Sequence, residues 1–194
     1  MKENNFYAFI SRMKYINRWG LMRNTITENI QEHSYDVAVL AHAIALIANR
    51  HFGGNYNPER ACMYAMFHDT NEIITGDLPT PVKYFNKEIK DSYAQLEDLS
   101  KYKLLSMLPE ELRGEYEDLL FYEEKDSQYY PVIKAADKIS AYIKCVEEVK
   151  AGNGEFKKAK TATAKAIKEM HFPPADYFME KFVPAYSLTL DELD

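Results

Sequence analysis

Apolar residues recur three or four positions apart through most of this chain, which is the spacing of one face of an α-helix. The clearest stripe lies between about Glu28 and His51, and a second lies between about Gln128 and Val149. The first stripe comprises Ile30, His33, Val37, Leu40, Ile44 and Ile47, and the second comprises Ile133, Ala136, Ile139, Ile143 and Val146. Only seven glycines interrupt the 194 residues. The pattern therefore predicts an all-α fold.

Residues that begin and end helices divide the chain further. Helices are predicted at about residues 3–17, 28–51, 58–74, 86–107, 109–122, 128–149, 156–170 and 174–182. Asn57-Pro58 supplies an N-cap and a first-turn proline for the third helix, and Gly76 ends it. Pro79 and Pro81 are expected to keep the next loop extended. Because no repeat or linker is visible, residues 1–194 are predicted to form a single domain, a helical bundle.

Composition and charge narrow the classes of partner. The net charge of −6 argues against a nucleic-acid polymer or an anionic membrane surface as the ligand. No apolar run approaches the roughly 20 residues of a membrane span, and residues 1–9 show no signal peptide. Cys62 and Cys145 lie far apart outside any CxxC pattern, so they are expected to be reduced thiols. The expected location is the cytoplasm.

Three predicted core helices carry polar residues where apolar ones are expected. His33 lies on the first stripe, His68 and Asp69 end an apolar sequence within the third predicted helix, and Asp137 lies beside the second stripe. Each has a purely structural interpretation when it is taken singly. A lone histidine on a core stripe is more often a hydrogen-bonded core residue than a metal ligand, and Asp137 could pair with a neighbouring lysine.

Taken together, these residues form an H…HD…D set distributed over three helices. Burying an unpaired charge is costly, and a metal ion is a strong partner for such groups. Two imidazoles and two carboxylates suit a divalent first-row metal ion with positions left open for water. The spacing differs from the closed four-sulfur pattern of structural zinc. The set therefore indicates a metal site.

This pattern resembles that of the HD-domain superfamily of metal-dependent phosphohydrolases, and most closely the bacterial HD-domain 5'-deoxynucleotidases. The similar segments are EHSYDVAVLAHAIA around His33, HDTNEIITGDLPTPVKY from His68, AADKISAYIKCVEE around Asp137 and the DYFMEKFVPAYSLTLDEL tail. They span nearly the whole chain, and the GDLPTPVKY extension is far more specific than an HD dipeptide. The resemblance implies an HD-domain bundle that hydrolyses 2'-deoxyribonucleoside 5'-monophosphates to deoxynucleoside and phosphate. It also implies a homodimer.

The resemblance assigns roles to particular side chains. It implies one divalent ion, such as Co²⁺ or Mn²⁺, held by His33, His68, Asp69 and Asp137. It implies substrate contacts from Arg18, Trp19, His33, Asp77 and Thr80. Glu72 is expected to be the catalytic residue that positions the attacking water or carries its proton. At i+3 from Asp69 and i+4 from His68, Glu72 is expected on the same helical face as both.

Two other functions stay open. One is a different HD phosphohydrolase, which would cleave a cyclic nucleotide, a nucleoside triphosphate or an alarmone. Triphosphate hydrolases of this superfamily are usually longer than this chain. The other is a non-catalytic HD-like signalling module. Such modules commonly lose the metal residues, whereas all four of them and Glu72 are present here.

Overall fold

The computed structural model describes residues 4–193, which contain eleven α-helices and no β-strand beyond one isolated bridge between Asn17 and Asn29. The helices are α1 (Phe6–Ile10), α2 (Ile30–His51), α3 (Pro58–Phe67), α4 (Glu72–Thr75), α5 (Thr80–Lys83), α6 (Lys87–Leu105), α7 (Glu110–Leu120), α8 (Tyr122–Lys125), α9 (Tyr130–Lys150), α10 (Lys157–Lys168) and α11 (Pro173–Lys181). The predicted all-α class is confirmed. The predicted helix start at Glu3 lies outside the described residues.

The helices belong to two compact units whose segments alternate along the sequence. The first unit contains the chain up to Arg23, then Thr27–Ser34 and Phe67–Ser127. The second contains Asn24–Ile26, Tyr35–Met66 and the chain from Gln128 onward. Neither unit is a continuous part of the sequence. The assignment of residues 1–194 to one domain stays a prediction.

The first unit has an apolar core where α1, α6 and α7 meet. Its buried members are Phe6, Leu104, Leu105, Leu108, Leu120 and Phe121, with Phe67 and Tyr116 packed against them. The rings of Phe6 and Tyr116 meet edge to face with centroids 4.7 Å apart. This core supports the residues that follow α3, because Phe67 is the last residue of that helix.

In the second unit, α9 packs against α10, α11 and the 3-10 turn Val183–Ser187. All five residues of the apolar stripe predicted for this helix are buried. The stripe predicted for α2 is also buried throughout, including His33 at 0% exposure. Hydrophobic spacing therefore identified the buried faces of α2 and α9. Among the described residues, no helix is both long enough and apolar enough to span a membrane.

The first predicted helix is shorter than expected. α1 ends at Ile10, and the chain continues as a 3-10 helix over Ser11–Tyr15. The Ser11 hydroxyl donates a hydrogen bond to the carbonyl of Ala8 at 2.8 Å, so it competes with the α-helical ladder.

The prediction of one continuous helix over residues 58–74 is wrong. α3 ends at Phe67, and α4 begins only at Glu72. Between them the Thr70 hydroxyl donates to the carbonyl of Phe67 at 2.8 Å, and the Thr70 N–H reaches the same carbonyl at 3.3 Å. These three-residue spacings tighten the chain into turns. His68 and Asp69 therefore lie in a turn, and Glu72 does not share a helical face with them.

The loop after Gly76 is also not extended throughout. Residues 80–83 form the short helix α5, with Pro81 in its first turn. The N–H groups of Val82 and Lys83 both donate to the carbonyl of Pro79. The N–H groups of a helix's first turn have no partner within the helix. Proline, which lacks an N–H, is therefore tolerated at Pro81.

Candidate metal and substrate site

His33, His68 and Asp69 converge in the first unit. The Asp69 Oδ2 atom lies 3.1 Å from His68 Nε2 and 3.5 Å from His33 Nε2. One potential ligand atom from each of the three residues lies within 4.8 Å of the others. His33 comes from α2, as predicted, whereas His68 and Asp69 come from the turn after α3 and not from a continuing helix.

The N-terminal cap of α2 fixes where His33 lies. The Asn29 side chain accepts hydrogen bonds from the N–H groups of Gln31 and Glu32, both at 3.0 Å. In return, the Glu32 carboxylate accepts from the Asn29 N–H at 3.2 Å. This reciprocal cap starts the helix at Ile30, which places the fully buried His33 in its first turn.

These three side chains fit a divalent metal ion. Two imidazole nitrogens and one carboxylate oxygen are ligands that first-row metals accept, and three protein donors leave positions for water or a substrate. Burial raises the pKa of Asp69, but the neighbouring His68, His33 and Arg18 outweigh it and hold this pKa well below its ordinary value. The carboxylate is therefore ionised, which is the form that binds metal.

Asp137 lies on α9, which belongs to the second unit. Its Oδ2 atom accepts a hydrogen bond from Lys134 Nζ at 3.1 Å, one turn earlier on the same helix. This is the lysine pairing that the sequence left open as a structural interpretation. The role of Asp137 as a fourth metal ligand stays a prediction.

Arg18 lies beside Asp69 and is only 12% exposed in its side chain. Its Nη1 atom is 3.5 Å from Asp69 Oδ2, and its Nε atom donates to Glu28 Oε2 at 3.3 Å. The guanidinium is therefore held between two carboxylates next to the histidine pair. A cation in this place is suited to an anionic ligand bound beside the three candidate metal ligands.

Trp19 adopts an uncommon backbone conformation, with φ at 60°. A residue with a side chain pays about 1–2 kcal/mol for this left-handed region, so other contacts must hold it there. Its indole Nε1–H donates to Glu28 Oε2 at 2.7 Å, and its backbone N–H donates to the Asp77 carboxylate. The carbonyl of Trp19 accepts from the Met22 N–H at 2.8 Å.

Glu72 begins α4 and is largely buried, and its Oε2 atom has no hydrogen-bond partner among the described residues. Burial, followed by the negative charges of Asp69 and Asp77, raises the pKa of Glu72 to about 10. The positive charges of Arg18 and Lys83 act in the opposite direction. Such a carboxyl is poised to exchange a proton with a bound molecule.

Asp77 and Thr80 lie on the segment that follows Gly76. Gly76 has φ at 74°, a region that glycine enters without cost. Burial raises the pKa of Asp77, while Arg18 and the N–H of Trp19 lower it in part. Thr80 is exposed at the start of α5. The structure thus links Asp77 to Trp19 and leaves Thr80 facing solvent.

Sequence reasoning missed Glu28 and Lys83. Glu28 is 9% exposed and contacts both Arg18 and Trp19, although it lies ten and nine positions away from them. An acid just before a helix is ordinarily interpreted as a favourable charge for the helix dipole, so periodicity gives it no other meaning. Lys83 pairs with Glu97 at 2.7 Å across two helices, which no local pattern reveals.

Comparison with known proteins agrees with the family inferred from the motifs. The family described as "5'-deoxynucleotidase YfbR-like" matches residues 5–186. The chain is 49% identical to the 5'-deoxynucleotidase YfbR of Escherichia coli over 193 residues, covering 100% of this chain and 97% of that protein. A 5'-deoxynucleotidase of Erwinia tasmaniensis is also 49% identical over 193 residues, with 100% and 98% covered.

Solved structures share the fold at lower identity. An HD-domain phosphohydrolase from Listeria innocua superposes with a TM-score of 0.81 at 22% identity, covering 94% of this chain and 88% of that one. A cyanophage S-2L HD phosphohydrolase, bound to dA and one catalytic Zn²⁺ ion, superposes with a TM-score of 0.66 at 20% identity, covering 91% and 95%. The predicted HD-domain fold is thereby confirmed, and this chain belongs to the YfbR-like 5'-deoxynucleotidase family.

Proposed function

We propose that this chain hydrolyses 2'-deoxyribonucleoside 5'-monophosphates to a deoxynucleoside and phosphate. The observation that carries the proposal is the convergence of His33, His68 and Asp69, with the Arg18 guanidinium 3.5 Å from Asp69. A three-donor metal site beside a fixed cation suits a phosphate ester. The 49% identity to two proteins named 5'-deoxynucleotidase, over the full chain, supports the choice of substrate.

The metal would be held by His33, His68 and Asp69, with Asp137 proposed as the fourth protein ligand. Co²⁺, Mn²⁺ or a similar first-row ion fits this mixture of imidazole and carboxylate donors, and the cyanophage protein of the same fold holds Zn²⁺. Such an ion, when bound, supplies Lewis-acid polarisation of the phosphate and a water whose pKa is lowered toward ~7.

Arg18 would bind the phosphoryl oxygens. Its Nε and Nη1 atoms are already directed at Glu28 and Asp69, so the plane of the guanidinium is fixed before the substrate arrives. A positioned cation stabilises the charge that builds on these oxygens as the reaction proceeds. Because its carboxylate neighbours are retained, Arg18 needs little rearrangement to do this.

Glu72 would move the proton. Hydrolysis forms a bond from the water oxygen to phosphorus and breaks the bond from phosphorus to the 5' oxygen of the sugar. One proton leaves the attacking water and one proton reaches the departing alcohol. Glu72 is largely buried, its pKa responds to the nearby charge of Asp69, and its Oε2 atom has no hydrogen-bond partner among the described residues. It is therefore suited to position the water or carry its proton.

Trp19 would cover the deoxyribose, because it directly follows the phosphate-binding Arg18 in the chain. Asp77 would accept a hydrogen bond from the 3'-hydroxyl, and its existing bond from the Trp19 N–H links the two sugar contacts. Thr80, at the exposed start of α5, would contact the substrate through its hydroxyl. His33 would contact both the metal and the substrate.

A panel of phosphate-release assays tests this function. Purified protein, first stripped of metal and then supplied with Mn²⁺, Co²⁺ or Zn²⁺, would be offered deoxynucleoside and ribonucleoside monophosphates, nucleoside triphosphates, a cyclic nucleotide and an alarmone. We expect hydrolysis of the deoxynucleoside monophosphates at the highest kcat/KM. Faster cleavage of a triphosphate, cyclic nucleotide or alarmone would assign another phosphohydrolase activity, and no turnover with any metal would favour a signalling module.

The proposed assembly is a homodimer in the cytoplasm. Tyr35, Val39 and Leu46 lie at helical spacing on one face of α2 and are 64%, 51% and 48% exposed. A second copy could bury this stripe, since large exposed apolar faces on soluble proteins tend to be interfaces. Both cysteines are free, as a reducing compartment would leave them. Analytical ultracentrifugation tests this assembly: we expect a dimeric wild type and a monomeric Val39→Glu variant. A monomeric wild type would contradict the proposed dimer.

A further inference from the structure

One carboxylate oxygen joins two of the proposed substrate contacts. Glu28 Oε2 accepts a hydrogen bond from the Trp19 indole Nε1–H at 2.7 Å and another from Arg18 Nε at 3.3 Å. The other oxygen, Oε1, lies 3.9 Å from His33 Nδ1, on the side of that ring opposite to the Nε2 atom that faces Asp69. Glu28 is nearly buried, so water competes little for these bonds.

We propose that Glu28 is the positioning residue of the substrate pocket, which fixes the Trp19 indole over the sugar and the Arg18 guanidinium against the phosphate. This inference rests on the proposed function. It assigns selection of the deoxyribose to a pair, Trp19 and the carboxylate that holds it, rather than to Trp19 alone. Glu28 itself touches no substrate atom in this assignment.

The backbone around Glu28 is fixed independently of its side chain. The Arg18 N–H donates to the Glu28 carbonyl at 2.9 Å, and the Ile30 N–H donates to the Ile16 carbonyl at 2.9 Å. Asn17 and Asn29 form an antiparallel bridge between these two bonds. A change limited to the Glu28 side chain therefore leaves this pairing in place, and its effects can be assigned to the lost carboxylate contacts.

Trp19 needs the Glu28 contact more than an ordinary tryptophan would. Its backbone lies in the left-handed region, with φ at 60°, and a conformation of this kind persists only where surrounding contacts over-determine it. The bond from the indole to the Glu28 carboxylate is short, at 2.7 Å, and charge-assisted. Without it, the indole gains rotamers that no longer wall the sugar.

Three variants separate the contributions. Glu28→Ala removes the acceptor for both Trp19 and Arg18. Glu28→Gln keeps one neutral oxygen as an acceptor and removes the negative charge. Glu88→Ala is the control, because Glu88 is an exposed glutamate in the first turn of a different helix, α6.

The readouts combine NMR with kinetics. Trp19 is the only tryptophan in the chain, so its indole N–H gives a single assignable resonance that reports the Glu28 bond without any turnover. In Glu28→Ala we expect this resonance to move upfield and lose protection from hydrogen exchange. We expect kcat/KM for the deoxynucleotide to fall by roughly tenfold to a hundredfold, the range for losing a hydrogen bond to a charged group. The ratio of kcat/KM for the deoxyribonucleotide to kcat/KM for the ribonucleotide should fall toward 1.

In Glu28→Gln we expect the ratio to be largely kept and kcat/KM to fall for both sugars alike, because Arg18 loses its charged anchor. Glu88→Ala should change neither the indole resonance nor the deoxyribo-to-ribo ratio of kcat/KM. An unmoved indole resonance in Glu28→Ala overturns the proposal, and so does a moved resonance with an unchanged ratio. If Glu28→Ala does not fold, Glu28→Gln is the test. An unchanged kcat/KM in Glu28→Gln would then overturn the proposal. A wild type inactive on deoxynucleotides would instead refute the proposed function, and the specificity role of Glu28 with it.

Discussion

The hydroxyl of Tyr93, on α6, donates a hydrogen bond to the carbonyl oxygen of Gly76 at 2.9 Å. It also reaches the Thr75 hydroxyl at 3.2 Å, so it holds the end of α4 where the chain turns toward Asp77. Farther along the same segment, Lys83 lies over the Tyr93 ring at 4.9 Å and pairs with Glu97 of α6 at 2.7 Å. α6 therefore anchors both ends of the segment that carries Asp77 and Thr80.

Tyr93→Phe tests this anchor. The change keeps the ring under Lys83 and removes the hydroxyl that donates to Gly76, so the free energy of unfolding should fall by about 1 kcal/mol. The turn before Asp77 should loosen, which raises KM for the deoxynucleotide more than it lowers kcat. Tyr102→Phe is the control, because Tyr102 is on the same helix and 58% exposed. Denaturant unfolding and steady-state kinetics measure both effects, and an unchanged KM in Tyr93→Phe would contradict the anchor.

Helical periodicity predicted the parts of this fold that depend on repeating burial. The stripes of α2 and α9 are buried as expected, and Asn57 caps α3 through its side chain at 2.9 Å. These features depend on neighbouring or regularly spaced residues, so they can be predicted from a single sequence. The family resemblance predicted that His33, His68 and Asp69 share one site, and their potential ligand atoms lie together in the structure.

The errors have a common physical origin. The break after Phe67 depends on a side-chain hydrogen bond from Thr70, and a threonine in a helical pattern does not reveal whether its hydroxyl will compete with the backbone. Glu28 lies beside Arg18 and Trp19 where Asn17 and Asn29 pair across a loop. Contacts between residues about ten positions apart follow neither the helical nor the strand period, and so sequence patterning alone does not predict them.

Loss of a proposed metal ligand should remove the metal. Asp69→Ala and His33→Ala each delete one of a small set of protein donors, and both should lose bound divalent ion and activity. Asp137→Ala tests the fourth ligand in the same way. His42→Ala is the control, because His42 is on α2 but is not among the three residues whose ligand atoms lie together. Elemental analysis of the purified variants measures occupancy, and a full complement of metal in Asp69→Ala would show that the ligand set is wrong.

Glu72→Gln should separate proton transfer from metal binding. Glutamine fills the same space but cannot act as an acid or a base. We therefore expect kcat to fall by roughly 10² to 10⁴ with metal and substrate still bound. The melting temperature of the chelator-treated protein at neutral pH should rise, because the raised pKa of Glu72 means that this carboxyl takes up a proton on folding, whereas glutamine is neutral in both states. Release of the metal would make Glu72 a ligand. A lower melting temperature with normal turnover would make it a structural ion pair.

The buried carboxylate of Glu148 should stabilise the second unit in a pH-dependent way. It accepts hydrogen bonds from Lys144, from the Thr25 N–H at 2.9 Å and from the Asn153 side chain at 2.8 Å. Burial raises the pKa of Glu148, but these bonds outweigh it and hold the pKa well below its ordinary value. The stabilisation is therefore present above the pKa of an unfolded glutamate, about 4.3, and is lost as the pH falls toward the folded value.

Glu148→Ala should therefore cost about 3 kcal/mol or more of unfolding free energy at pH 7, since it also leaves Lys144 buried without its carboxylate. The difference from the wild type should shrink below pH 4, where protonation weakens the same bonds in the wild type. Denaturant unfolding across this range measures it, with Glu147→Ala as an exposed neighbour for comparison. A difference that stays constant with pH would mean that packing, and not charge, accounts for the loss.

Trp19 should account for much of the discrimination between deoxyribonucleotides and ribonucleotides, which differ by one hydroxyl at C2'. A pocket that merely lacks a partner for that hydroxyl discriminates weakly, on the order of 10²-fold, so stronger selection needs a rigid wall. Trp19→Ala should narrow the ratio of kcat/KM, by weakening deoxynucleotide turnover or by admitting the ribonucleotide. Arg18→Ala should reduce both substrates about equally, because the phosphate is common to them. An unchanged ratio in Trp19→Ala would return that side chain to a structural role.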